Sequence, residues 1–73
     1  MNEALKSLRG KKLKTQEDMS EMLNISRQTY CNYENNVASL EIQQIIEILN
    51  VLEATPEEIK EFFYTIQRDI LSK

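Results

Sequence analysis

The chain has 73 residues with one Gly, one Pro, one Cys, no His and no Trp, which sets a single domain, residues 1–73, with a core near the lower limit for independent stability. One Cys excludes an internal disulfide, the lack of His leaves no plausible zinc set, and no cofactor is expected. The net charge of −3 argues against a generic polyanion binder, no apolar run approaches the ~18 residues of a membrane span, and no signal peptide is visible, so the expected setting is the cytoplasm, or the nucleoid of a bacterium.

Strand signals are missing: there is no sustained period-two alternation, no Asn-Gly turn and no Gly-rich loop. An all-α bundle is the expectation. The first helix is predicted from about Asn2 to Lys12, with Leu5 and Leu8 facing the core, and Gly10 weakens its end by up to ~1 kcal/mol relative to Ala. Charge is polarised along the chain. Residues 1–36 hold six basic and five acidic groups, whereas residues 37–73 hold three and seven. Lys11, Lys12 and Lys14 cluster before the second helix, so a duplex would meet the first half while the acidic half faces away.

Residues 15–34 carry the most informative pattern. Thr15 is a candidate N-cap with Asp18 as a short-armed capping-box partner, and Met19, Met22 and Leu23 form an apolar stripe. Asn24 tolerates the left-handed backbone that ends a helix, and Ser26 caps a third helix almost at once. A turn this short makes the two helices cross steeply, the helix-turn-helix geometry, which holds the second of them proud of the surface.

At ~100° per residue, Arg27, Gln28, Cys31, Asn32 and Asn35 fall within an arc of about 140°, while Thr29, Tyr30, Tyr33 and Glu34 point inward. No carboxylate lies on the outward arc, in a chain with 12 of them. Arg, Gln and Asn are the side chains that reach guanine and adenine edges by paired hydrogen bonds. Cys31 reads as an ordinary small side chain facing the groove, with a redox switch at the DNA-facing edge as the alternative.

Ser39 is the expected cap of a fourth helix whose apolar positions are Ile42, Ile45, Ile46, Leu49 and Leu52; Ile48 lies off that stripe, exposed or against a partner. Thr55-Pro56-Glu57-Glu58 is the strongest helix start in the chain, with Thr as cap, Pro in the first turn and Glu58 closing the capping box. The fifth helix, about 56–71, carries Ile59, Phe62, Phe63, Ile66 and Ile70. Its extended stripe serves either as a dimer surface or as added cover for the core.

This order of features resembles the Xre/Cro/CI family of small helix-turn-helix DNA-binding domains. The matching residues are Leu8-Arg9, Thr15 to Ser20, Leu23 to Tyr30, Tyr33-Glu34-Asn35, Leu52 and Thr55 to Ile59. The resemblance implies a compact five-helix bundle of lambda-repressor-like type with a central helix-turn-helix. It implies that Gln16 bonds a phosphate and braces the start of the third helix, that Arg27, Gln28 and Asn32 read base edges, and that Thr29 and Asn35 approach the backbone. Lys14 joins this DNA-binding set from the basic cluster. Arg9 and Glu34 match a family ion pair with a structural role. Departures from the pattern are Asn24 and Asn36 where Gly is frequent, Val37 and Ala38 where basic residues are common, Leu40 in place of Pro, suggesting an early start to the fourth helix, and Leu13-Lys14 in place of a Gly–apolar pair.

The expected function is a sequence-specific transcriptional regulator, a repressor, inserting the third helix (about 27–35) into the major groove as a homodimer on a roughly palindromic double-stranded DNA operator. The alternative is a protein-interaction module such as an antirepressor or antitoxin, binding a partner through the acidic C-terminal half, with Val37, Ala38 and Ile48 on offer. No enzyme is expected: no His exists, Cys31 has no visible base, and the carboxylates are spread along helix faces.

Overall fold

The computed structural model describes residues 3–71. Five helices follow one another: α1 (Ala4–Lys11), α2 (Gln16–Leu23), α3 (Arg27–Asn35), α4 (Ile42–Val51) and α5 (Pro56–Leu71), with a short 3-10 turn at Val37–Ser39 before α4. No strand occurs among the described residues. The predicted start of α1 at Asn2 lies outside them. Leu5 and Leu8 of α1, Met19 of α2, Tyr30 of α3, Val37 of the turn, Ile45, Ile48 and Leu49 of α4, and Phe62 of α5 form one buried core. Helices α2 and α3 pack together, α1 lies against α5, and α4 lies against α2.

Local chemistry fixes most helix ends. The Thr15 hydroxyl accepts from the Asp18 N–H at 3.0 Å and Asp18 Oδ2 accepts from the Thr15 N–H at 2.9 Å, a complete capping box. The same reciprocal pair recurs at Thr55 and Glu58 at the start of α5. Asn24 closes α2 in the left-handed region, φ 57° and ψ 47°, while the Ile25 N–H reaches back to the Ser20 carbonyl at 3.0 Å.

The α4 region departs from expectation. Ser39 does not cap it: the Ser39 hydroxyl donates to the Asn36 carbonyl within the 3-10 turn, and extended Leu40 separates that turn from the helix. The helix therefore does not start early. Glu41 precedes it, with its N–H held by Gln44 Oε1 at 3.0 Å. Its buried face is rotated by roughly 50° from the predicted stripe. Ile48 is 1% exposed, whereas Ile42 is 61% and Ile46 57% exposed. Aliphatic residues cover most of this helix, so 45-48-49-52 is as good a helical stripe as 42-45-46-49-52. Packing against α2 decides between them.

Three further differences concern single residues. Met22 is exposed on α2 although it shares the Met19 stripe. Asn36 is not left-handed, with φ −148°; the left-handed residues are Leu13, Asn24 and Glu53. On α5 only Phe62 is fully buried, and Phe63 and Ile70 remain exposed. No described helix is long and apolar enough to cross a membrane.

Candidate nucleic-acid interface

Helix α3 is set by its N-terminus. The Ser26 hydroxyl accepts from the Thr29 N–H at 3.1 Å and lies 2.8 Å from the Thr29 hydroxyl. That bond satisfies one of the donors a helix start leaves open, and it occupies Thr29 in the cap. Past this point the side chains sort by periodicity. Arg27, Gln28, Asn32 and Asn35 are exposed; Thr29, Cys31 and Tyr33 are half-buried; Tyr30 and Glu34 are buried. Gln28 Nε2 donates to Asn32 Oδ1 at 3.2 Å, one turn on. That bond does not use the Gln28 carbonyl or the Asn32 amide protons, an acceptor and a donor on two exposed side chains.

Behind this face lies the network that fixes the helix. Glu34, fully buried, receives Arg9 Nε on Oε2 at 2.6 Å and Gln16 Nε2 on Oε1 at 3.0 Å. Arg9 Nη1 also donates to the Lys14 carbonyl at 2.9 Å. One carboxylate on α3 thereby ties down α1, the turn after it, and α2. Burial alone would raise the Glu34 carboxyl, but the hydrogen bonds from Arg9 and Gln16 hold it below the ordinary value. Arg9 is raised in turn, first by its bond to Glu34. The buried Tyr30 hydroxyl is near enough to Glu34 and Arg9 to feel their charges, yet makes no hydrogen bond of good geometry. Burial pushes its ionisation far above the usual tyrosine range.

Gln16 differs from expectation in where it braces. Its amide nitrogen reaches Glu34, and its Oε1 accepts from the Cys31 thiol at 3.3 Å. Cys31 lies at the middle of α3 and Glu34 in its last turn, neither at its start. Cys31 thus turns partly inward, toward α2. Sequence reasoning missed this contact, because Cys31 and Gln16 sit on different helices and carry no shared local signal.

The basic groups are also redistributed. Lys11 Nζ pairs with Glu61 at 3.1 Å, and Lys12 Nζ pairs with Glu58 at 2.8 Å while also reaching the Glu53 carbonyl. These two lysines therefore lie between the end of α1 and the acidic α5, in surface pairs that hold them only weakly. Lys6, Lys14 and Arg27 make no ion pair among the described residues. A shallow polar depression beside Arg27 is lined by Arg9, Thr15, Gln16, Glu17, Asp18 and Glu21. Carboxylates of α2 therefore border the interface although α3 itself presents none outward. Bonds from Thr15 hold Asp18 below its ordinary value, so it is charged there.

Leu13 stands at the turn between α1 and α2 with φ 58° and 89% of its surface in solvent. The left-handed region is costly for Leu and free for Gly. The Gly–apolar pattern thus keeps its backbone here with the wrong residue in place. Lys14, exposed, takes the position an apolar side chain would fill.

No curated protein and no solved structure matches the chain. A helix-turn-helix family model matches residues 5–59, a span running from α1 into the first turn of α5 and including the whole α2–α3 unit and the Arg9–Glu34 pair. With the two-helix unit, its caps and its polar outer face in place, the chain belongs to the Xre/Cro/CI-type helix-turn-helix family of DNA-binding regulators.

Proposed function

We propose that this DNA-binding domain is a sequence-specific transcriptional repressor that inserts α3 into the major groove, as a homodimer on a roughly palindromic operator. The observation that carries the reading is the exposed, carboxylate-free face of Arg27, Gln28 and Asn32 on a helix anchored through buried Glu34. Arg27 suits guanine O6 and N7, and the acceptor and donor left over on Gln28 and Asn32 suit adenine. Lys14, Gln16, Thr29 and Asn35 are assigned to the phosphate backbone, with the open N–H groups at the start of α2 as a further anion contact. A protomer of 32 × 24 × 21 Å is of a size to sit beside its copy with the two α3 helices one DNA turn, about 34–36 Å, apart.

Selection of bound sites from random oligonucleotides tests this directly. Enrichment of a two-fold symmetric sequence is expected, and Gln28→Ala should weaken binding to it by about 1–3 kcal/mol while leaving binding to random DNA unchanged. Equal loss on both would contradict base reading. With Lys11 and Lys12 engaged on α5, the dependence of affinity on salt should be shallow.

The alternative, a module that binds a partner protein, loses two of its supports because Ile48 and Val37 are both buried. It keeps the acidic α4–α5 half. Absence of any enriched site at low salt would favour it.

A further inference from the structure

The two oxygens of buried Glu34 are served by unlike partners. Oε2 takes Arg9 Nε at 2.6 Å, a charged donor. Oε1 takes Gln16 Nε2 at 3.0 Å, and Gln16 is a half-buried residue at the first position of α2. Gln16 also lines the open polar depression beside Arg27, the side from which a phosphate would reach the start of that helix. Its other tether is the Cys31 thiol at 3.3 Å, a weak donor. The amide is therefore claimed twice, by Glu34 within and by the phosphate contact assigned to it above.

Tyr30 stands one turn before Glu34 on the same inward face of α3. Its ring is wholly buried, and its hydroxyl has no hydrogen-bond partner among the described residues. A buried hydroxyl left unbonded is costly, and native structures seldom keep one without a use. This hydroxyl is close enough to Glu34 and Arg9 for their charges to act on its ionisation. An O–H turns about its C–O bond to suit an acceptor, and of these two neighbours the carboxylate alone can accept.

We infer that Tyr30 is the reserve donor to Glu34: when Gln16 turns out to a phosphate, the Tyr30 hydroxyl takes its place on the carboxylate. In the free protein Gln16 holds Oε1 and the hydroxyl is unbonded. On DNA the amide leaves, the buried charge keeps two donors, and the hydroxyl gains the bond it lacked. Without Tyr30, releasing Gln16 would strip the carboxylate of a donor in low-dielectric surroundings, where the loss is large. Tyr30 is thus a positioning residue that touches no nucleotide and acts through Gln16. The docked half of the exchange rests on the DNA reading above; the reserve bond itself does not.

Urea denaturation of the full chain tests that bond without DNA, in the parent, Tyr30→Phe, Gln16→Met and the double variant. Gln16→Met keeps the side-chain length and removes the amide. In the parent background Tyr30→Phe deletes an unbonded hydroxyl, so the folding constant should stay level or rise. In the Gln16→Met background the hydroxyl has taken Oε1, so the same change should lower the constant about tenfold. Equal effects in both backgrounds overturn the inference, and so does a loss in the parent, which would mark the hydroxyl as already bonded. Fluorescence anisotropy on selected and random duplexes reads the docked half. Tyr30→Phe should weaken binding to both about tenfold, since a phosphate contact carries no sequence, and should add nothing once Gln16 is replaced by Met. Undiminished affinity in Tyr30→Phe, the result if Gln16 serves a phosphate with its second amide proton while staying on Glu34, overturns it too. If the free proteins show the coupling but no duplex binds at low salt, the reserve donor stands and the DNA reading falls. If a duplex is selected but the coupling is absent, the reverse holds.

Discussion

Replacing Arg9 by Met keeps most of the side-chain volume and removes the guanidinium that faces Glu34. Breaking one partner of a buried pair costs about 3–5 kcal/mol. Gln16 still donates to the carboxylate and Arg9 is 19% exposed, so about 3 kcal/mol is expected. A domain of this size holds only roughly 4–11 kcal/mol in total, at ~0.05–0.15 kcal/mol per residue. At ~4–8 °C per kcal/mol, the melting temperature should fall by roughly 12–24 °C at pH 7. The loss should also depend on pH. In the parent, Glu34 is held below 4.5, so its contribution is complete above that value and is lost as the pH falls through the folded-state value. Without Arg9, burial dominates and the carboxyl rises above 4.5. The variant then loses stability as the pH rises, and the gap between the two proteins widens from pH 4 toward neutrality. Urea denaturation followed by circular dichroism at pH 4 to 8 reads this gap. A difference that stays constant across the range, or one below about 1 kcal/mol at pH 7, would refute the account of Glu34 as a buried, paired charge.

Leu13→Gly should stabilise the fold by about 0.5–1 kcal/mol, because it relieves a left-handed Leu whose side chain is almost wholly in solvent; a lower melting temperature would contradict this. Gly10→Ala should also stabilise, by up to ~1 kcal/mol, since a methyl group there meets nothing within 4 Å. Asp18 is held below its ordinary 3.8, so it supports the fold above that value and the support fades as the pH falls further. Asp18→Asn should therefore flatten the acid limb of the stability curve, as read from urea midpoints at pH 3 to 6. On a selected operator, Gln28→Ala and Asn32→Ala should each weaken binding while the double variant loses less than the sum, because the two amides share a hydrogen bond; strict additivity in anisotropy titrations would show that they act separately.

The α2–turn–α3 unit was legible in the sequence because its determinants are local. Thr15 and Asp18 lie three residues apart, as do Ser26 and Thr29, and Asn24 needs no distant partner to turn left-handed. The start of α5 at Thr55-Pro56 was readable for the same reason. What escaped is set by contacts across the chain. Lys11 meets Glu61 from 50 positions away and Lys12 reaches Glu53 from 41, so their pairing leaves no trace in a local count of charge. On α4, Ile42 and Ile48 compete for the core on equal terms until α2 is in place. The Arg9–Glu34 pair came only through the family resemblance, since nothing nearby in sequence links residues 25 positions apart.

The engagement of Lys11 and Lys12 on α5 bears on how such a regulator finds its target. Bulk DNA detains a protein through released counterions, and a lysine already paired with a carboxylate gains less when it meets a phosphate. Encounters with unrelated sequence should then be brief, with search proceeding by hopping and free diffusion more than by long slides along the helix. Occupancy of the correct site would be less diluted by the surrounding genome, and a small number of copies would suffice to hold it.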